Sequence, residues 1–198
     1  MNKELLGYHG TDEKYLVLIR KEGFKKKFSK SSFPNDLGFG AYFFVDRIKG
    51  EAQNNSKRYV LKYKRKYEAP IVLEVPLKVS EDNILDFNER DNLELLEDFA
   101  RVNNSQIKKE LRKYNSHTRS FKRGNLDGIV IDLFIEYFKI PADVIVKDTF
   151  TKFDDEYKIS NFTNGREVCV KNTNIINLDD IRIVERIDRN KKEALKCL

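Results

Sequence analysis

The chain is poor in the residues that build metal sites and covalent frameworks. Among its 198 residues are two histidines, His9 and His117, and two cysteines, Cys169 and Cys197. Cysteines so placed give neither a disulfide framework nor a zinc pattern, and without a Cys/His cluster no metal site is expected. No run of about eighteen apolar residues occurs, so no transmembrane helix is expected. The start, MNKELLGYHG, is too short and too polar for a signal peptide. Internal repeats, low-complexity tracts and Pro/Ser-rich linkers are also missing, which makes a single domain over residues 1–198 the expected organisation. The expectation is a cytoplasmic protein with no membrane partner.

What is present is charge. Hydrophobic residues make up 40% and charged residues 35%, enough apolar material for one core under a heavily charged skin. The net charge of +6 is unevenly spread: basic clusters fall at residues 20–30, 57–66 and 108–123, and an acidic stretch at 81–98. A charge run is ordinarily a solvated face. Three basic clusters interleaved with Tyr59, Tyr63, Tyr114 and Phe121 also fit a polyanionic partner.

Pattern reading gives a first strand at residues 5–9, then a helix capped by Thr11 or Asp12, carrying Tyr15, Leu16, Leu18 and Ile19 and stopped by Gly23. Ala41–Val45 is aromatic and β-branched, hence a strand. Residues 47–62 read as a helix, and 69–79 as a strand that Pro76 demotes to an edge or a bulge. Helices are expected at 93–102 and 106–114, and strands at 143–146, 167–171 and 181–187. Residues 129–138, IVIDLFIEYF, are apolar almost all round, and periodicity does not decide between strand and buried helix. Without a βαβ rhythm the expected class is α+β.

Several residues invite a chemical reading, each beside a plain one. Gly38 and Gly40 flank Phe39 but lack the third glycine of a dinucleotide fingerprint and precede a strand, so they are a tight turn or a place where backbone meets ligand. Tyr42 is a core aromatic or a ring face for a flat ligand. His9 is a packed ring or a ligand-gripping group, and Glu167 an exposed strand-edge carboxylate or a functional one. Asp132 and Glu136, four apart, read as polar breaks in a core element. No Ser/His/Asp grouping is visible by motif.

Three fragments taken together are similar to the ADP-ribosyltransferase superfamily, in the branch with a His-Tyr-Glu set that includes the diphtheria-toxin-like enzymes and the poly-ADP-ribose polymerases. They are YHGT at residues 8–11, DLGFGAYFF at 36–44 and NGREVCVKNTNII at 164–176. Their order fits: His first, then Gly-x-Gly-x-Tyr, then Glu in a late strand. The resemblance implies a split β-sandwich of two antiparallel sheets around an NAD cleft, with flanking helices. It implies NAD+ as co-substrate, with Glu167, His9 and Tyr42 catalytic, and Tyr8, His9, Gly10, Thr11, Gly40 and Tyr42 binding the dinucleotide. Glu167 would stabilise the oxocarbenium-like ribose, Tyr42 would stack on nicotinamide, the Gly10 backbone would pair with its carboxamide, and His9 would bond a ribose hydroxyl. Thr11 is a second ribose contact or a helix cap.

The sequence also departs from that pattern. The second stacking tyrosine of the polymerases is missing from its usual neighbourhood, and Tyr59 is the nearest substitute. Arginine-modifying relatives carry a Glu two positions before the catalytic one; here that position is Gly165, which disfavours an arginine acceptor. The expectation is mono-ADP-ribosylation of a macromolecule, nucleic acid (RNA or DNA) ahead of protein, by a bacterial toxin or phage-defence effector held by an antitoxin or inhibitor. Arg20, Lys25, Lys30 and Arg47 are candidates for the NAD diphosphate. The alternative is a catalytically inactive module of the same fold that binds NAD, ADP-ribose or nucleic acid.

Overall fold

The computed structural model of the protein describes residues 1–24, 33–114, 126–153 and 162–189. Lys25, Lys30, His117, Phe121 and Cys197 lie outside these residues, as does much of the basic segments around 25–32 and 115–123.

Seven strands form a single mixed sheet. In chain order they are β1 (Asn2–Asp12), β2 (Ala41–Val45), β3 (Pro70–Ser80), β4 (Ile84–Asp86), β5 (Val144–Thr149), β6 (Gly165–Val170) and β7 (Arg182–Arg186), arranged β4-β5-β6-β2-β1-β3-β7. All neighbours are antiparallel except β4 and β5, which run parallel. This corrects the expectation of two separate antiparallel sheets, because β1 and β2 remain bridged. The bridge is minimal: Tyr8 opposite Phe44 is the one registered pair between them, whereas β1 pairs with β3 along its whole length.

The helices among the described residues are α1 (Leu16–Glu22), α2 (Glu51–Tyr63), α3 (Arg90–Val102), α4 (Asn104–Leu111) and α5 (Asp127–Phe138). A short 3-10 turn, Glu13–Tyr15, precedes α1, and its cap is Asp12, whose carboxylate accepts from Lys14 N. Gly23, at φ 74°, ends α1. Helix α2 starts later than its composition suggested because Asp46 accepts from the Gly50 and Ala52 amides and holds residues 47–50 as a turn. The ambiguous run at 129–138 is helical: Ile129, Leu133 and Phe134 bury against α3, α4 and the sheet, so its all-round apolarity reflects cover on several sides.

Strand β3 shows the two-sided logic of an inner strand. Ile71, Leu73, Val75, Leu77 and Val79 enter one core, while Val72 turns to the other face against Val60 of α2. Pro76 does not make β3 an edge strand, and the one register shift recorded in β3, a bulge in its pairing with β7, falls between Val72 and Leu73 rather than at Pro76. Pro76 lies opposite Leu6, and β7 pairs only with residues 71–74 of β3, so the missing N–H falls where β7 does not pair. One core cluster draws on β2, β5 and β6 as well as β3, joining both halves of the sheet; a second packs α3, α4 and α5 on the far face of β5 and β6. Among the described residues no helix is long and apolar enough to cross a membrane.

Candidate functional site

The site arises where β1 and β2 part. Pro70 and Pro76 have no N–H to give and lie opposite Asp12 and Leu6, so the even-numbered residues of β1 sit at non-hydrogen-bonded positions against β3. Bonds at the strand ends, Glu13 N to Ala69 O (2.8 Å) and Glu81 N to Met1 O (3.0 Å), have the same parity. Tyr8 and Gly10 therefore turn their N–H and C=O away from β3, toward β2. The Lys171 N to Asp143 O bond (2.8 Å) sets the alternation on β6, and through the β6–β2 register it turns Tyr42 and Phe44 toward β1. Past the Tyr8–Phe44 bridge, continued pairing would put Gly10 opposite Tyr42.

Instead the strands diverge, and His9 Nδ1 stands 2.8 Å from the Tyr42 carbonyl oxygen. A carbonyl only accepts, so Nδ1 carries the proton and donates. In the neutral ring Nε2 is then the acceptor. The imidazole packs edge-on to Phe24 (5.2 Å between centroids) and against Phe43 (5.7 Å). Burial lowers its pKa below the ordinary 6.5; the bond to Tyr42 opposes this and the Lys64 charge adds to it. His9 is thus a neutral, oriented hydrogen-bonding ring.

The gap opens into a cavity of about 750 Å³, a size suited to a small organic ligand. Tyr8, His9, Gly10, Gly40, Tyr42 and Glu167, brought from three strands and a turn, all line it. Thr11 is not among the lining residues and is 4% exposed. Of the two residues expected to cap the helix, Asp12 and not Thr11 is the cap.

Glu167 reaches the cavity because it lies directly across from Phe44 and shares that side of the sheet with Tyr42 and Cys169. Thr151 Oγ1 donates to Glu167 Oε1 at 3.1 Å. Asn164 holds Thr151 in turn, exchanging two bonds of 2.8 Å with its backbone, and the Asn164 carbonyl accepts from buried Asn55 of α2 at 2.9 Å. The carboxylate is thereby tied to both α2 and the β5–β6 connection.

Tyr42 contributes its ring and keeps its hydroxyl for the fold. The oxygen accepts from Leu37 N at 2.9 Å and donates to the Gly38 carbonyl at 2.7 Å, and burial pushes the phenol far above its usual range. It is no acid or base. Gly40 is required by packing, because a Cβ there would lie 2.4 Å from Cys169 Sγ and 2.6 Å from the Val170 carbonyl oxygen. Cys169 itself is buried, and burial raises its thiol pKa to about 11.

Helix α2 supplies what sequence reading placed least well. Tyr59, the suggested substitute, lines the cavity together with Tyr63 one turn on; their centroids are 5.1 Å apart, and Tyr59 also meets Phe44 at 6.4 Å. Burial raises the Tyr59 pKa, with the Glu167 charge adding to it. Ser56 lines the cavity too, 1% exposed, and its Oγ finds no hydrogen-bond partner among the described residues. Such an orphaned hydroxyl is costly unless a ligand or water meets it. The helix comes this close because Gly10 has no side chain: a Cβ there would be 2.1 Å from Val60 Cγ2 and 2.7 Å from the Ser56 carbonyl oxygen.

Among the described residues, the cations lining the cavity are Lys64 and Lys152, neither of them among the diphosphate candidates. Arg20 donates to the Ile181 carbonyl (3.2 Å), and Arg47 is paired with Glu51 (2.5 Å) and Asp148 (3.8 Å); neither lines the cavity. Lys64 and Lys152 had no signal beyond membership of a basic run or a loop. Among the described residues no cluster of His, Cys, Asp and Glu is arranged to hold a metal. No protein-family model matches the chain, and no curated protein matches it at a significant level.

Proposed function

We propose that the protein is an NAD+-dependent mono-ADP-ribosyltransferase acting on a macromolecular acceptor. One observation carries the reading: His9, Gly10, Tyr42, Tyr59 and Glu167, from segments far apart in the chain, line a single cavity. The two half-sheets, β4-β5-β6-β2 and β1-β3-β7, held at one bridging pair, are read as the split sandwich of that superfamily.

The residues fit the dinucleotide's chemistry. Gly10 offers an adjacent N–H and C=O at the gap, matched to the two hydrogen-bonding ends of a carboxamide, and Ser56, whose hydroxyl has no hydrogen-bond partner among the described residues, lines the same cavity. Tyr42 and Tyr59 supply ring faces for the nicotinamide. His9, proton fixed on Nδ1, gives Nε2 as acceptor for a ribose hydroxyl. As the nicotinamide–ribose bond breaks, Glu167, held by Thr151, stabilises the positive charge growing on the ribose. Nicotinamide leaves, and the acceptor nucleophile takes the anomeric carbon and loses its proton.

At position 165 a second carboxylate would force Asn55 to shift. A Cβ would meet Asn55 Nδ2 at 2.6 Å and the Phe44 ring at 3.5 Å, which argues against arginine as acceptor. The net charge of +6, with Lys64 and Lys152 at the cavity, favours nucleic acid over protein. The role in keeping with this is a bacterial cytoplasmic toxin or phage-defence effector, restrained by an antitoxin or inhibitor.

Incubation with labelled NAD+ and, separately, RNA, DNA and protein extract tests the reading. It expects nicotinamide release and label on the acceptor, both lost in Glu167→Gln. Label on protein alone would remove the nucleic-acid version; no release with any acceptor would remove the transferase.

A further inference from the structure

The Leu37–Gly38–Phe39 turn has its polar backbone groups gripped from three directions. Lys171 Nζ donates to the Leu37 carbonyl at 3.0 Å, Asp132 Oδ2 accepts from Phe39 N at 2.9 Å, and the Tyr42 hydroxyl bonds both Leu37 N and the Gly38 carbonyl. Lys171 and Asp132 also bond each other, Nζ to Oδ1 at 2.5 Å, with 16% and 28% of their side chains exposed. The turn is fitted to this pair. Gly38 sits at φ 86°, and a Cβ on it would lie 2.2 Å from Asp132 Oδ1 and 2.5 Å from Lys171 Nζ. On α5, Gly128 allows the approach from behind, since a Cβ there would be 1.8 Å from the Asn35 carbonyl oxygen.

Lys171 directly follows β6, the strand that carries Glu167, and Asp132 is on α5. The pair thus joins the end of the Glu167 strand to the turn that fixes the Tyr42 hydroxyl. We propose that Asp132 and Lys171 are positioning residues, a clamp that sets the Tyr42 ring at a fixed distance from the Glu167 carboxylate. Neither residue lines the main cavity, so neither is a catalytic residue. A plain stabilising role explains the arrangement less well. A largely buried ion pair is commonly no better for stability than apolar residues of the same size, whereas its directional bonds fix one geometry. Asp132 in addition bears a burial cost that raises its pKa against the pull of Lys171.

The clamp rests on the transferase reading for its catalytic meaning but is testable without it. Cys169 lies under the turn, fully buried, with Sγ 3.9 Å from the Gly38 carbonyl oxygen. In a Cys197→Ser background it is the one thiol in the chain. Two measurements are made on Asp132→Asn, which keeps the side chain's shape: the rate of thiol labelling under folding conditions, and KM and kcat for NAD+. If that variant does not fold, Lys171→Gln takes its place. A loss of stability alone raises labelling only in proportion to the unfolded fraction, which each melting curve supplies, and leaves KM unchanged.

The clamp predicts labelling well beyond that proportion, a raised KM and a loss in kcat/KM of about 10²-fold, the cost of misplacing a binding group by about 1 Å. Labelling that tracks the unfolded fraction, with KM unchanged, overturns it. If the wild type turns over no NAD+, the transferase reading fails, and the labelling arm alone decides the clamp.

Discussion

His9 holds the Tyr42 carbonyl at 2.8 Å through Nδ1, in the place that the Gly10 N–H would take if β1 and β2 went on pairing. A side chain thus substitutes for a backbone donor, satisfying the carbonyl while the strands separate and leave the Gly10 amide at the gap. On the proposed reading the same ring serves twice, propping the cleft with one nitrogen and holding a ribose with the other.

The two roles of His9 separate by substitution. His9→Asn retains a donor near Tyr42 but shortens the reach toward ligand; His9→Leu removes both. Both are expected to weaken NAD+ binding, and only His9→Leu to lose about 1–3 kcal/mol of stability by orphaning a part-buried carbonyl. Calorimetric NAD+ titration and urea unfolding measure the two effects.

The lowered His9 pKa gives stability a pH dependence of known sign. The unfolded imidazole takes up a proton as pH falls through about 6.5, while the folded one stays neutral to lower pH. His9 therefore penalises the folded state progressively as pH drops from about 6.5 toward the folded value, and contributes no slope above that range. Unfolding midpoints of wild type and His9→Gln between pH 8 and pH 5 are expected to diverge on the acid side, with the wild type losing more.

Gly10 tests the steric claim. Alanine there places a methyl 2.1 Å from Val60 Cγ2 and 2.7 Å from the Ser56 carbonyl oxygen, so α2 must move. Overpacking of this kind costs about 1–3 kcal/mol. Adding Val60→Ala makes room and is expected to recover part of that loss in a melting experiment; no recovery would mean that the backbone, not the methyl, is limiting.

Removing charge from Glu167 is expected to separate binding from chemistry. Glu167→Gln should lose about 10²–10³-fold in kcat while NAD+ affinity changes far less, because the carboxylate acts on charge that develops in the transition state. Proportional loss of both would make Glu167 a ground-state ligand.

The elements that carry the site were the most legible in the sequence. The fragments around His9, Tyr42 and Glu167 lie on β1, β2 and β6, and their short apolar, aromatic or β-branched runs read correctly as strands. What they line was not legible, because the cavity depends on the single Tyr8–Phe44 bridge and on how close α2 lies to Gly10, both long-range facts. Ser56, Tyr63 and Lys64 became part of the site for that reason. Asp132, read as a polar break in a core element, is instead the acceptor of the glycine turn, a role invisible without Phe39 beside it. Pro76 misled because the edge rule applies locally: the strand is internal, yet β7 does not reach that residue. Strand β4, three residues long, is too brief to register as a pattern.

The central claim is that the gap between β1 and β2 receives a nicotinamide dinucleotide. A crystal structure with NAD+ bound tests it most directly. The account predicts the carboxamide on the Gly10 backbone, the ring beside Tyr42 and the Glu167 carboxylate against the nicotinamide ribose. Dinucleotide bound outside this cavity, or Glu167 turned away from the anomeric carbon, would contradict it.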